Sequence, residues 1–181
     1  MPITDQDWYL WTMETPPINF EFSRAGIKDA LALSLLADFS FRATFIKDFR
    51  NREDLDGYSE KTFAYAKFRH SLGRTDNYYL IVKIDSEMVG YAKLKLGDRP
   101  VQLQKIYLHP AFLGQGIGKA LLEKSKTIAR EAGADKLWLA VEEQNLNAIA
   151  FYERTGWETT EEFDFQIGTQ MFHFFRMELD L

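Results

Sequence analysis

The segment Leu108-His-Pro-Ala-Phe-Leu-Gly-Gln-Gly-Ile-Gly-Lys-Ala-Leu-Leu122 constrains this chain more than any other, because a strand pattern gives way there to alternating glycines and then to a helix. Gly114, Gly116 and Gly118 lack a Cβ and tolerate positive φ, so successive backbone N–H groups can close around an anion. The helix begins inside the loop. Its first N–H groups have no intrahelical partner, and the macrodipole puts roughly half a positive charge beside them. A pyrophosphate is the ligand that such a turn suits.

Two other glycine loops are excluded by spacing. A Walker A loop needs Gly where Leu113 stands and Ser or Thr where Ala120 stands. A dinucleotide fingerprint needs Gly in place of Lys119, early in the chain, with an acidic residue about 20 positions on. Taken alone, the remaining G-x-G-x-G is either a phosphate cradle or a tight strand-to-helix turn. Its surroundings favour the cradle. Lys136-Leu-Trp-Leu-Ala-Val141 is a continuous apolar run after a helix ended by Ala132-Gly133, and it predicts a strand buried on both faces. Strand, loop, helix and strand then make one βαβ unit.

The rest of the chain supplies elements of matching kinds. Residues 1–16, with Trp8, Tyr9, Leu10 and Trp11, read as an N-terminal arm that docks on the core, contacts a second copy in a homodimer or covers the acceptor site. Ile18 to Phe22 alternates with period two and predicts a strand; Asp29 to Phe45 carries Leu31, Leu35, Phe39 and Phe41 at helical spacing. Asp48 to Ser71 predicts one or two short helices. Tyr79 to Ile84 and Met88 to Leu96 form a hairpin, with Gly90 a bulge or a close-packing point. In Val101 to Leu108 the apolar phase moves from odd positions to even ones near Gln104-Lys105, which predicts a bulge. On the helix from Gly116 to Ala132, Ile117, Leu121 and Ile128 face the sheet, whereas Glu123, Lys126 and Arg130 face water. Glu158 to Ile167 and Gln170 to Asp180 pair through Gly168-Thr169.

At 181 residues the chain reads as a single domain over 1–181, and its 46% hydrophobic content is ample for a core. With no cysteine, disulfides, cysteine-based zinc sites and a thiol nucleophile are excluded, and a reducing cytoplasm is expected. The acidic start and the lack of any apolar run near ~18 residues argue against a signal peptide and a membrane span. A net charge of −5 argues against nucleic acid as partner and is compatible with a cationic substrate.

Ile106-Tyr107-Leu108-His109-Pro110, the glycine loop and the series Asn145…Ala148…Phe151-Tyr152-Glu153…Gly156-Trp157 together resemble the GNAT superfamily of acyl-CoA-dependent N-acyltransferases. Around Leu137 to Tyr152 the likeness is nearest to small bacterial spermidine/spermine (polyamine) N-acetyltransferases. The resemblance implies an α+β (mixed α/β) fold: a mixed, mostly antiparallel sheet whose parallel fourth and fifth strands splay apart, with about four helices. It also implies acetyl-CoA as co-substrate and a small amine as acceptor. By the same likeness Ile106, Tyr107 and Leu108 pair with the pantetheine arm, while Gly114, Gln115, Gly116, Ile117, Gly118 and Lys119 hold the pyrophosphate. Asn145 binds pantetheine or caps its helix, and Arg154 is a further cofactor contact or a surface ion-pair residue. Leu113 departs from the family's R/Q-x-x-G-x-G loop, which puts the tightness of cofactor binding in doubt and not the binding itself.

Acyl transfer to an amine needs a neutral nucleophile, a polarised carbonyl and a proton for the leaving thiolate. Tyr152 is the candidate general acid, since a phenol of pKa ~10 can protonate a thiolate whose thiol has pKa ~8.5; the alternative is a packing role only. For the base, the fourth strand carries Gln102 and Gln104 where many relatives have Glu, so a water chain ending on a carboxylate is expected. His109 reads as structural, and no histidine has metal-ligand spacing. Asp54, Asp56 and Glu60, with Asp48, form an acidic cluster expected to bind a polyamine. A protein N-terminus, an amino acid or an antibiotic amine is the other acceptor reading, and a non-catalytic acyl-CoA sensor is the reading outside enzymes.

Overall fold

The computed structural model describes residues 19–181. The arm over residues 1–16 and its expected roles lie outside the described residues. The strands are β1 (Glu21–Arg24), β2 (Asn77–Ile84), β3 (Glu87–Lys95), β4 (Val101–Leu108), β5 (Lys136–Glu142), β6 (Glu158–Ile167) and β7 (Gln170–Asp180). The α-helices are α1 (Ala30–Phe45), α2 (Arg52–Phe63), α3 (Tyr65–Leu72), α4 (Ile117–Glu131) and α5 (Leu146–Arg154). The sheet runs β1-β2-β3-β4-β5-β7-β6, and among the described residues only the β4–β5 pair is parallel.

Helices cover both faces, and alternate residues of the central strands serve each side. Tyr79, Ile81 and Tyr91 pack against Leu33, Phe41, Leu55, Phe63 and Phe68 of α1 to α3. Leu80, Ala92, Leu94, Val101 and Leu139 pack in a second cluster with Leu121, Leu122 and Ile128 of α4 and with Tyr152 of α5. Turn chemistry fixes the hairpins. Asp85 and Ser86 both take positive φ, the pair that a two-residue β2–β3 turn requires, and Gly168 takes φ 58 at the β6–β7 turn.

Several faces differ from the periodicity reading. On α1 the buried side is Ala30, Leu33, Leu36, Ala37, Ser40 and Phe41, while Leu31, Leu35 and Phe39 are exposed among the described residues. Both sides of this helix are apolar, so spacing alone does not choose the inner one. Lys126 is buried on α4, its Nζ held by Glu123 Oε1 at 2.8 Å. In β5 the two-faced burial is replaced by alternation: Leu137, Leu139 and Val141 are buried and Ala140 is exposed. Trp138, half-buried, lies under the Arg176 guanidinium at 4.3 Å.

Candidate active site

The site begins as a fault in the sheet. β4 and β5 are paired only at Val101–Leu137 and Gln102–Trp138. Immediately beyond, the β3–β4 register shifts, with Leu94 opposite Leu103 and Lys93 opposite Lys105, so Gln104 is the extra residue of a bulge at the place where the apolar phase slips. From Lys105 to Leu108, β4 pairs with β3 on one side and has no β5 partner on the other. Gly90 lets β3 lie close here, because a Cβ on it would stand 2.8 Å from Leu108 Cδ1 and 2.9 Å from the Tyr107 carbonyl oxygen. The side chains of Ile106, Tyr107 and Leu108 pack into three different apolar clusters. What they offer the gap is backbone.

At the end of β4, His109 Nδ1 accepts from the Ala111 N–H at 3.2 Å, and its ring stacks on Phe39 at 4.9 Å, which is a structural role. The glycine loop follows. Gly114 and Gly116 take φ 76 and φ 80, whereas Gly118 is already inside α4. Around Gly114, Gly116 and Gly118 a built Cβ would meet nothing within 4 Å, so the loop is open on the side where an anion would lie. Ala120 is the first residue of α4 whose N–H reaches a backbone carbonyl, that of Gly116 at 3.1 Å. The N–H groups of Ile117, Gly118 and Lys119 precede it as the orphan donors of a helix start. Ile117 can offer only that N–H, since its side chain is fully buried beside Val82 and Val89. Gln115 turns its amide back to the Ala111 carbonyl at 2.9 Å, and Lys119 is exposed in the first turn.

The third wall is the β5–α5 connection. Asn145 Oδ1 accepts from the Ala148 N–H at 3.3 Å and caps α5, so its Nδ2 remains available to donate. Tyr152 lies one helix length on, buried between Phe151 and Trp157, whose rings stand edge-on to it at 5.4 Å and 5.7 Å. Burial raises its phenol pKa well above the ordinary value, so it carries its proton at every working pH. Asn145, Ala148 and Tyr152 line a cavity of about 280 Å³ that passes between β4 and β5. Arg154 is exposed and does not line it.

Glu142, which sequence reasoning passed over, closes the same cavity at the end of β5. It is buried, and that burial raises its carboxyl pKa, with the Asp48 charge adding to the effect. Its Oε2 accepts from the Gln144 N–H at 2.9 Å. An acid closing an apolar strand, where the inward alternation ought to break, is the one signal that could have found it. Phe45, Phe49, Phe172 and Phe174 supply an aromatic wall around it.

The expected acidic cluster is arranged otherwise. Asp54 accepts from Thr169, Asp56 is paired with Arg42 and Arg52, and the Arg42 hydrogen bond holds the Asp56 carboxyl below the usual range. Glu60 is exposed on α2. Asp54 and Asp56 thus answer to Thr169 and Arg42, partners that the fold brings in from outside α2. No group of His, Asp and Glu able to hold a metal occurs among the described residues.

Residues 42–157 match the Acetyltransferase (GNAT) family. The chain belongs to that family. An uncharacterized N-acetyltransferase of Lactobacillus delbrueckii subsp. lactis is 31% identical to it over 149 residues, 78% of this chain and 86% of that one. The spermidine N(1)-acetyltransferase of Thermoplasma acidophilum is 25% identical over 154 residues, 82% of this chain and 95% of the relative. In fold the acetyltransferase is similar to the crystal structure of PaiA N-acetyltransferase from Thermoplasma acidophilum in complex with coenzyme A, with TM-score 0.78 and 23% identity over 90% of this chain and 99% of that one. Membership makes the protein an acetyl-CoA-dependent N-acetyltransferase. The residues present fit that co-substrate: an unpaired strand edge for an amide-bearing arm, and open glycines with orphan N–H groups for a pyrophosphate. No helix among the described residues is long and apolar enough to cross a membrane.

Proposed function

We propose that the acetyltransferase moves an acetyl group to the primary amine of a small molecule by direct attack within a ternary complex. The observation that carries this is the placement of Tyr152, Glu142 and Asn145 on one cavity that opens through the sheet beside the unpaired edge of β4. Acetyl-CoA, as co-substrate, supplies the activated acetyl thioester. The free edge of Lys105 to Leu108 and the Asn145 amide hold its arm, and the N–H groups of Ile117, Gly118 and Lys119 hold its phosphates. Glu142, through water, takes the proton that the attacking ammonium must lose, and at pH 7 that removal costs about 4 to 5 kcal/mol for an amine of pKa ~10.4. As the C–N bond forms and the C–S bond breaks, Tyr152 gives its proton to the departing thiolate, and the second proton that the nitrogen sheds on becoming an amide passes through water to restore the Tyr152 phenol. No enzyme nucleophile is needed.

A polyamine acceptor is the second reading, supported by kinship with the spermidine N(1)-acetyltransferase. The pairing of Asp54 and Asp56 with partners of their own leaves kinship as its main support. Initial velocities measured with both substrates varied test the direct route. Intersecting double-reciprocal lines are expected, and parallel lines, the sign of an acetyl-enzyme, would overturn it.

A further inference from the structure

A second cavity, of about 430 Å³, lies on the α1–α3 side of the sheet and adjoins the first along Tyr58, Gln104 and Lys105, which line both. Lys67, Lys93 and Lys105 line it, together with Tyr58, Tyr79 and Tyr91, and no Asp or Glu is among its lining residues. Lys93 and Lys105 are directly opposite one another in the β3–β4 register. Like charges facing across two strands are destabilising, and here neither ammonium has a carboxylate within salt-bridge distance among the described residues. Each leans on rings instead: Lys93 Nζ lies 5.3 Å from the Tyr79 centroid, and Lys105 Nζ lies 5.3 Å from that of Phe63.

The second observation is independent of charge. The Tyr91 hydroxyl is fully buried and has no hydrogen-bond partner, although Tyr79 beside it donates to Ser71 at 2.8 Å. A buried O–H left unpaired costs on the order of 1 to 3 kcal/mol. An opposed lysine pair and an orphan phenol in one cavity share a single remedy, a bound anion. Burial pushes both lysines down to about 8; for Lys93 the Lys95 and Lys105 charges add to the effect and the Asp76 charge offsets part of it.

We propose that this cavity binds a carboxylate carried by the acceptor itself, so that the acetyltransferase acts on amino-acid-like substrates. Their amine lies at Glu142 and Tyr152, and their acid lies among Lys93, Lys105 and Tyr91. This rests on the reading of the first cavity as the place of acetyl transfer. It names a substrate class opposite in charge to a polyamine.

Matched probes decide it. The acceptors are 5-aminopentanoate, its primary amide and spermidine, measured by calorimetric binding without acetyl-CoA and by thiol release with it. In the unmodified protein the acid should bind at least about tenfold more tightly than the amide, a difference of about 1.4 kcal/mol. Lys93→Gln, a change on β3 and away from the edge that holds acetyl-CoA, should bring the two together without slowing turnover of the amide. Tyr91→Phe, which removes a buried hydroxyl with no partner, should weaken the acid several-fold while raising the thermal stability of the free protein. Equal binding of acid and amide, or a preference for spermidine, would overturn the carboxylate site. Tight binding of the acid with no thiol release from any amine would keep this site and instead remove the transfer reading on which its role rests.

Discussion

Asp54 on α2 grips Thr169 at the tip of the β6–β7 hairpin, its Oδ2 accepting from the Thr169 backbone N–H at 2.9 Å and from the hydroxyl at 2.5 Å. The fit is close enough that a Cβ on Gly168 would fall 1.9 Å from Asp54 Oδ1. The carboxylate therefore pins a hairpin whose Ile167 and Phe172 wall the reaction cavity. Asp54→Ala should lower thermal stability by about 1 kcal/mol, a few degrees of melting temperature. It should not make KM for an amine acceptor more dependent on salt. A change in KM that vanishes at high salt, with unchanged stability, would show Asp54 to be a substrate-binding charge after all.

Gly116 takes φ 80 at the start of α4, with open space where its Cβ would be. Gly116→Val should place two methyl groups in the path of a pyrophosphate and weaken acetyl-CoA by about tenfold or more in calorimetry. Gly133, at φ 77 past the other end of the same helix, separates strain from blockage. Gly133→Ala should cost about 1 to 2 kcal/mol of stability with no loss of cofactor affinity.

Tyr152→Phe retains the ring that packs between Phe151 and Trp157 and removes only the proton donor. kcat should fall roughly 10²-fold with acetyl-CoA affinity held. An unchanged kcat under conditions where chemistry limits turnover would assign Tyr152 to packing alone.

As the proposed proton acceptor, Glu142 should shape the acid limb of the pH profile. Because burial raises its carboxyl pKa, the proton-accepting form is lost as pH falls through that raised value, at a higher pH than for an exposed glutamate. The decline in kcat/KM that comes from protonation of the amine should therefore steepen on the acid side. In Glu142→Gln the extra steepening should be absent, and the plateau should fall about 10²-fold. The same steepening in the variant would rule Glu142 out.

Much of the architecture was legible because its signals are local. The phase slip at Gln104-Lys105 is the bulge that frees β4, Gly168-Thr169 is the turn between β6 and β7, and Gly114 and Gly116 have the positive φ that their spacing suggests. The roles of the charged side chains were not legible, because their meaning depends on partners remote in the chain. Asp54 and Thr169 are 115 residues apart, and only folding shows that this carboxylate is engaged. Lys105 looks like any strand lysine until Lys93 is set opposite it. Glu142 became visible only when the splay of β4 from β5 put it on the cavity with Tyr152.

His173 reports on the hairpin independently of catalysis. Its Nδ1 lies 2.7 Å from Asp164 Oδ1 and its Nε2 lies 3.3 Å from Glu162 Oε2, and the hydrogen bond with Asp164 is the main reason its pKa is raised. A raised histidine contributes stability that is fully present below its unfolded value of about 6.5 and is lost as pH rises through the folded value. His173→Gln should thus lower the melting temperature at about pH 5.5 and leave it unchanged at about pH 9. Equal losses at both would mean that packing, not charge, is what the residue supplies.

The most direct measurement is thiol release from acetyl-CoA by the purified protein, with and without a panel of small primary amines, and with the product identified by mass. Amine-dependent release of coenzyme A, matched mole for mole by the N-acetylated amine and reduced roughly 10²-fold in Tyr152→Phe, is the predicted result. Acetyl-CoA that binds at the glycine loop and is never transferred to any amine would contradict the account and leave an acyl-CoA-binding protein in its place.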